Sequence, residues 1–201
     1  MPAPALTVLG DSFAEGRGDP GPDGSFVGWV PRTAAALGIP RGRVLNLGSY
    51  GATTQTVVDS QLAVALANRS SLVGVTVGGN DLVSDYDRDR FESNLDRIFT
   101  ALAVPGTTVF TMTFPDIPAM LPIPPNIRDV LRPRFSDAND HVHKLVAGRV
   151  LCLDLASVSG ITDPALWNPD GMHPSPAGYR AVADRVIDMI KTAWASRAPH
   201  G

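Results

Sequence analysis

The chain is expected to adopt an α/β fold, a five-stranded parallel sheet with helices on both faces. Three observations lead there. Short apolar runs bounded by turn residues read as buried strands. Stretches of helical periodicity separate them, and the alternation repeats five times. Parallel neighbours need such crossovers, which are right-handed in nearly every case. At 201 residues, with no internal repeat and no linker, the sequence reads as one domain spanning 1–201.

The first strand is Leu6-Thr7-Val8-Leu9, which runs into Gly10, Asp11 and Ser12. A Gly/Pro/Asp-rich loop from Gly16 to Gly24 follows, carrying Arg17, Asp19 and Asp23. Thr33 to Leu37 is a helix ended by Gly38 and Pro40. Val44 to Leu47 is the second strand, and it empties into the small-residue loop Gly48 to Thr54. Val57, Leu62, Val64, Ala65 and Leu66 mark a helix that ends near Asn68.

The third strand, Leu72 to Val77, stops at Gly78-Gly79-Asn80-Asp81. A charged loop, Asp85 to Arg90, precedes a helix from about Phe91 to Ala103, with Leu95, Ile98, Phe99 and Leu102 at helical spacing. Thr108 to Met112 is the fourth strand, followed by a proline-rich segment from Phe114 to Pro125. A helix then runs to Val146, and Val150 to Asp154 is the fifth strand. The loop Ser157 to Ser175 leads into a last amphipathic helix ending near Trp194.

Bulk properties exclude several functions. The net charge is −3 and Lys and Arg are scattered singly, so no basic stripe is available for nucleic acid. No apolar run has the length of a membrane span. Met1 to Ala5 has neither a basic nor a long apolar region of a secretory leader, so a cytoplasmic location is expected. Cys152, the single cysteine, lies in an apolar strand-like run and reads as a buried structural thiol.

In such a fold the segments after the strands converge on one rim of the sheet, where ligands bind. That rim would gather Ser12, Gly51, Asn80, the proline-rich segment and the Asp170–His173 stretch. A serine hydroxyl needs a base, and the base needs a partner that orients it. His173, in a loop among Gly171, Pro174 and Pro176, suits the first role; Asp170, three residues earlier, suits the second. The bland alternative is a turn aspartate beside a solvated histidine.

An oxyanion would find donors in the backbone N–H groups of Ser12 and Gly51 and in the side-chain amide of Asn80. Asp11 and Asp81 are expected to hold their own turns. His141 and His143 read as a solvated helical face, and their spacing is wrong for a helical zinc motif. His200 is in the tail. No cofactor or metal is implied.

These blocks resemble the SGNH hydrolases, also called GDSL esterases and lipases. Gly10-Asp11-Ser12 resembles the nucleophile block, Asn46 to Gly51 the second, Gly78-Gly79-Asn80-Asp81 the third and Asp170-Gly171-Met172-His173-Pro174 the fifth. Phe13 stands where the family motif has leucine. The resemblance implies a flavodoxin-like three-layer α/β/α sandwich with strand order 2-1-3-4-5. It also implies Ser12 as nucleophile, His173 as base, Asp170 as its orienter, and Gly51 (rather than Gly48) and Asn80 in the oxyanion hole.

The expected activity is hydrolysis of a small-molecule carboxylic ester with a short to medium acyl chain. Ile117, Met120, Leu121 and Ile123 of the proline-rich segment are candidates for an acyl-binding wall. Arg17, Asp19 and Asp23 would instead suit a sugar or other polar alcohol. The alternatives are an acyltransferase or deacetylase using the same triad, and a non-catalytic flavin or nucleotide binder.

Overall fold

The structure, a computed structural model, describes residues 4–146 and 150–196. Strands β1 (Leu6–Gly10), β2 (Val44–Asn46), β3 (Leu72–Thr76), β4 (Thr108–Met112) and β5 (Val150–Leu153) form one sheet. Every pairing is parallel and the order is β2-β1-β3-β4-β5. β1, β3 and β4 are buried along their whole length, so both faces of each strand are apolar. Two of their threonines bond to neighbouring chain segments: Thr111 Oγ1 donates to the Val75 carbonyl at 2.9 Å, and the Thr7 and Ser70 hydroxyls lie 2.8 Å apart.

One face carries α1 (Ser12–Glu15), α2 (Val30–Ala36) and α9 (Pro176–Ala195), packed through Trp29, Val30, Tyr179 and Val186. The other carries α4 (Leu62–Asn68), α6 (Arg88–Leu102) and α8 (Pro125–Leu145), packed through Leu62, Leu95, Ile98 and Phe135. Between β2 and α4 lie the short α3 (Thr54–Thr56) and a π-helical segment, Val57–Gln61. The short helices α5 (Gly79–Val83) and α7 (Ile117–Met120) follow β3 and β4. No helix among the described residues is long and apolar enough to cross a membrane.

Helix ends depart from the expected bounds for local reasons. Asp87 accepts from the Arg90 N–H at 2.9 Å and so starts α6 at Arg88, within the stretch read as a charged loop. The proline-rich segment is not wholly loop, because Asp116 caps α7 through the Ala119 N–H at 3.1 Å. α8 then begins with Pro125 in its first turn, where a missing N–H costs nothing.

The strand order reverses beside β1, with β2 on one side and β3 on the other. Such a reversal opens a crevice at the carboxyl ends of the strands. α1 and α5 start there.

Candidate active site

The turn between β1 and α1 is held from several directions. A Cβ on Gly10 would lie 2.2 Å from the Thr76 carbonyl oxygen, so only glycine allows this approach. Gln61 grips the Gly10 peptide groups: its Oε1 accepts from the N–H at 2.8 Å and its Nε2 donates to the carbonyl at 2.9 Å. Asp11 caps α1 by accepting from the Phe13 N–H at 2.9 Å. Asn46 donates to the Ala14 carbonyl at 2.7 Å, and Trp29 Nε1 to that of Phe13 at 3.2 Å. Ser12 is therefore fixed by the backbone at the head of α1, with only 7% of its surface exposed.

The second half of the site is the loop before α9. His173 Nε2 lies 2.8 Å from Ser12 Oγ, and His173 Nδ1 lies 2.7 Å from Asp170 Oδ2. The other oxygen of Asp170 accepts from the backbone N–H groups of Met172 at 2.9 Å and His173 at 3.0 Å. Partial burial pushes the Asp170 carboxyl up, but the His173 ring and these two N–H groups outweigh it and hold it below the ordinary range. Gly171 has φ +66°, and a Cβ there would lie 2.2 Å from the Met120 carbonyl oxygen. The loop thus closes against α7.

Two loops complete the rim. Asn80 Nδ2 donates to the Ala52 carbonyl at 2.8 Å, which uses one of the two hydrogens of the amide. Asp81 does not hold its own turn as expected. Its carboxylate crosses to the Gly48–Thr54 loop and accepts from Thr54 N–H at 2.9 Å and Thr54 Oγ1 at 2.6 Å.

Gly48 and Gly51 differ in kind. A Cβ on Gly48 would meet the Glu15 nitrogen at 2.5 Å, whereas one on Gly51 would meet nothing within 4 Å. Gly48 is a packing glycine against α1; Gly51 faces open space with φ +77°. Asp11 holds its turn as expected, but burial pushes its carboxyl up to about 7, with the nearby Asp81 adding to the effect and the Phe13 N–H opposing it.

Beside Ser12 lies a cavity of about 80 Å³, lined among others by Phe13, Met112, Phe114, Ile117, Trp167 and Met172. Of the four residues expected to wall an acyl site, Ile117 lines this cavity. Met120, Leu121 and Ile123 do not line it; they pack in or against the apolar cluster that also holds Ile117. The wall is instead assembled from side chains far apart in sequence, which no local pattern marks. Gln61 was also unforeseen, although a glutamine among Val57, Val58, Leu62 and Ala65 is out of place on an apolar helical face.

The other polar candidates separate. Asp19 is 4% exposed; it accepts from the Gly28 N–H at 3.1 Å and pairs with Arg32, so it braces the loop. Asp23 bonds Ser25. Arg17 remains at the rim. Cys152 is partly buried, and burial pushes its thiol up to about 11, with Asp154 adding to it.

His141 is not on a solvated face: it is tucked between α6 and α8, with Nε2 3.1 Å from Asp96. His143 is half exposed and its Nε2 is 3.8 Å from Asp154. His200 lies outside the described residues. Among the described residues no group of three His, Cys, Asp or Glu side chains is arranged to hold a metal ion.

Comparison with known proteins agrees with this architecture. Residues 8–181 match the model of the GDSL-like lipase/acylhydrolase family. A search of curated proteins gives no match. Among solved structures, the chain is similar to Axe2, an acetylxylan esterase from Geobacillus stearothermophilus (21% identity, TM-score 0.71, 93% of this chain and 94% of that one). It is also similar to LAE5, an α/β hydrolase enzyme from the metagenome of Lake Arreo, Spain (22%, 0.70, 94% and 95%). A third is TesA (23%, 0.69, 94% and 98%). At these identities the likeness is one of fold.

Proposed function

The chain belongs to the GDSL-like lipase/acylhydrolase family, and on that premise we propose that it is a serine carboxylic ester hydrolase with Ser12 as nucleophile. The observation that carries the reading is the unbroken chain Asp170–His173–Ser12, at 2.7 and 2.8 Å, opening onto an apolar cavity.

Ser12 Oγ attacks the ester carbonyl carbon while His173 Nε2 takes its proton. Asp170 accepts from Nδ1, keeps the tautomer and stabilises the imidazolium. The carbonyl oxygen becomes an oxyanion, received by the N–H groups of Ser12 and Gly51 and by the second hydrogen of the Asn80 amide. Collapse breaks the bond to the alkoxide, which leaves as the alcohol with the proton from His173. Water then attacks the acyl-enzyme, with His173 again as base, and releases the acid and Ser12.

The cavity limits the acyl group. It is about half the volume of the roughly 150 Å³ apolar cavity that holds benzene. Acyl groups of two to about four carbons therefore fit, the short end of the expected range. Axe2, by its description, acts on acetylxylan, an ester of the smallest of these acids.

A p-nitrophenyl ester series tests the reading. Turnover should be highest from acetate to butyrate and fall for longer chains, and Ser12→Ala should lower it by about 10⁴-fold or more. Equal turnover of octanoate would contradict the cavity assignment. Full activity of Ser12→Ala would contradict the mechanism. A second ester formed when a competing alcohol is added would favour acyl transfer over hydrolysis.

A further inference from the structure

We infer that Tyr50, held by Arg17, forms a leaving-group subsite that selects esters of ring-shaped polyhydroxy alcohols, that is, acylated sugars. This rests on the hydrolase reading above. In that reaction His173 Nε2 delivers a proton to the departing alkoxide, so the alcohol oxygen must lie at that nitrogen when the carbonyl carbon lies at Ser12 Oγ. The acyl group occupies the apolar cavity, leaving the alcohol to extend toward solvent past the imidazole. Tyr50 stands there, with its ring centroid 6.5 Å from that of His173 and the two planes inclined by 33°.

Tyr50 is also 64% exposed, the most exposed of the large hydrophobic side chains among the described residues. An exposed ring on a loop ordinarily has rotamer freedom to lose on binding, but this one is braced. The Arg17 guanidinium lies 4.0 Å from the Tyr50 centroid and 5.1 Å from that of Phe26. Arg17 Nε in turn donates to Glu15 at 3.2 Å, anchoring the stack to the end of α1. The result is a braced aromatic surface beside the base, the kind of contact area that binds at reduced entropic cost.

The chemistry of the surface selects its ligand. A sugar ring offers a face of C–H groups that packs on an aromatic ring and a rim of hydroxyls. The guanidinium under Tyr50 carries five N–H donors in a fixed fork, of which Glu15 uses the one on Nε. A simple aliphatic alcohol would reach neither group. Arg17 thus has the role of recognising a polar alcohol, and it does so without Asp19 or Asp23, which the loop uses internally.

The test compares kcat/KM for 6-O-acetylglucose, a monoester that keeps its other hydroxyls, with that for ethyl acetate, by acetate release, in wild type, Tyr50→Ala and Tyr50→Phe. In Tyr50→Ala the preference for the sugar ester should fall about tenfold, mainly through a higher KM for 6-O-acetylglucose. Tyr50→Phe keeps the ring and should keep the preference within about twofold. An unchanged preference in Tyr50→Ala would overturn the subsite. So would an equal loss in the alanine and phenylalanine variants. Ser12→Ala separates the two claims: if it still hydrolyses ethyl acetate the hydrolase reading fails, whereas the ratio in the Tyr50 variants reads the subsite alone.

Discussion

Ser12 and His173, the proposed nucleophile and base, are held by opposite means. Ser12 sits on a turn fixed by tertiary contacts, with Gly10 gripped by Gln61 from a helix 51 residues away in sequence and α1 braced by Asn46 and Trp29. His173 sits on a loop that holds itself, through Asp170, two local backbone N–H groups and the Asn168 N–H, which donates to the His173 carbonyl at 2.8 Å. The side chain of Asp170 is half exposed, whereas that of Gln61 is buried. Precision at the nucleophile is therefore a property of the fold, and precision at the base is a property of one loop.

Variants in the two regions should accordingly fail in different ways. Asp170→Asn removes the acceptor that sets the His173 tautomer, and a loss of up to about 10⁴ in kcat is expected. Because the Asp170 side chain is half exposed and bonds only within its own loop, the urea midpoint should stay near that of wild type. A large loss of stability in this variant would show that the loop carries part of the fold. Gln61→Leu should do the reverse in order of effect. It strands the buried N–H of Gly10, while the carbonyl keeps the Ser49 N–H at 3.3 Å; the cost is about 1–3 kcal/mol in unfolding free energy, and activity should fall only as the turn loosens. An unfolding free energy equal to that of wild type would contradict the claim that Gln61 fixes the nucleophile turn.

The smallest expected effect concerns pH. Asp11 has its carboxyl raised from 3.8 to about 7 by burial beside the nucleophile. The folded protein thus keeps a proton that the unfolded chain releases between those values. The corresponding stability is fully present below about pH 4 and is lost as pH rises through about 7. Between pH 5 and 7 wild type should lose about 2 kcal/mol relative to Asp11→Asn, which keeps a capping oxygen without the titration. Parallel stability curves for the two proteins would remove Asp11 as the titrating group.

The same contrast explains what the sequence made legible. The strands and their order along the chain were readable because β1, β3 and β4 are short apolar runs that end in turn residues. The juxtaposition of Ser12, Asp170 and His173 was readable because Ser12 and the Asp170–His173 loop each follow a strand, and Asp170 and His173 lie within one turn. Contacts made across the fold left no such local mark. Gln61 stands out on an apolar helical face, but nothing local names Gly10 as its partner, and Asp81 looks like a turn former until its partner Thr54 is seen. Trp167 and Phe135 reach the cavity from separate elements. Of the apolar residues from Ile117 to Ile123, composition alone did not say which one would face the cavity, because all four pack in or against one apolar cluster.

The central claim, that Ser12 is a nucleophile activated by His173, is tested most directly by a serine-directed fluorophosphonate with intact-mass and peptide analysis. A single adduct on Ser12 is expected, absent from Ser12→Ala and formed far more slowly in His173→Ala. An adduct on another residue, or none at all in a wild-type preparation that hydrolyses p-nitrophenyl acetate, would contradict it.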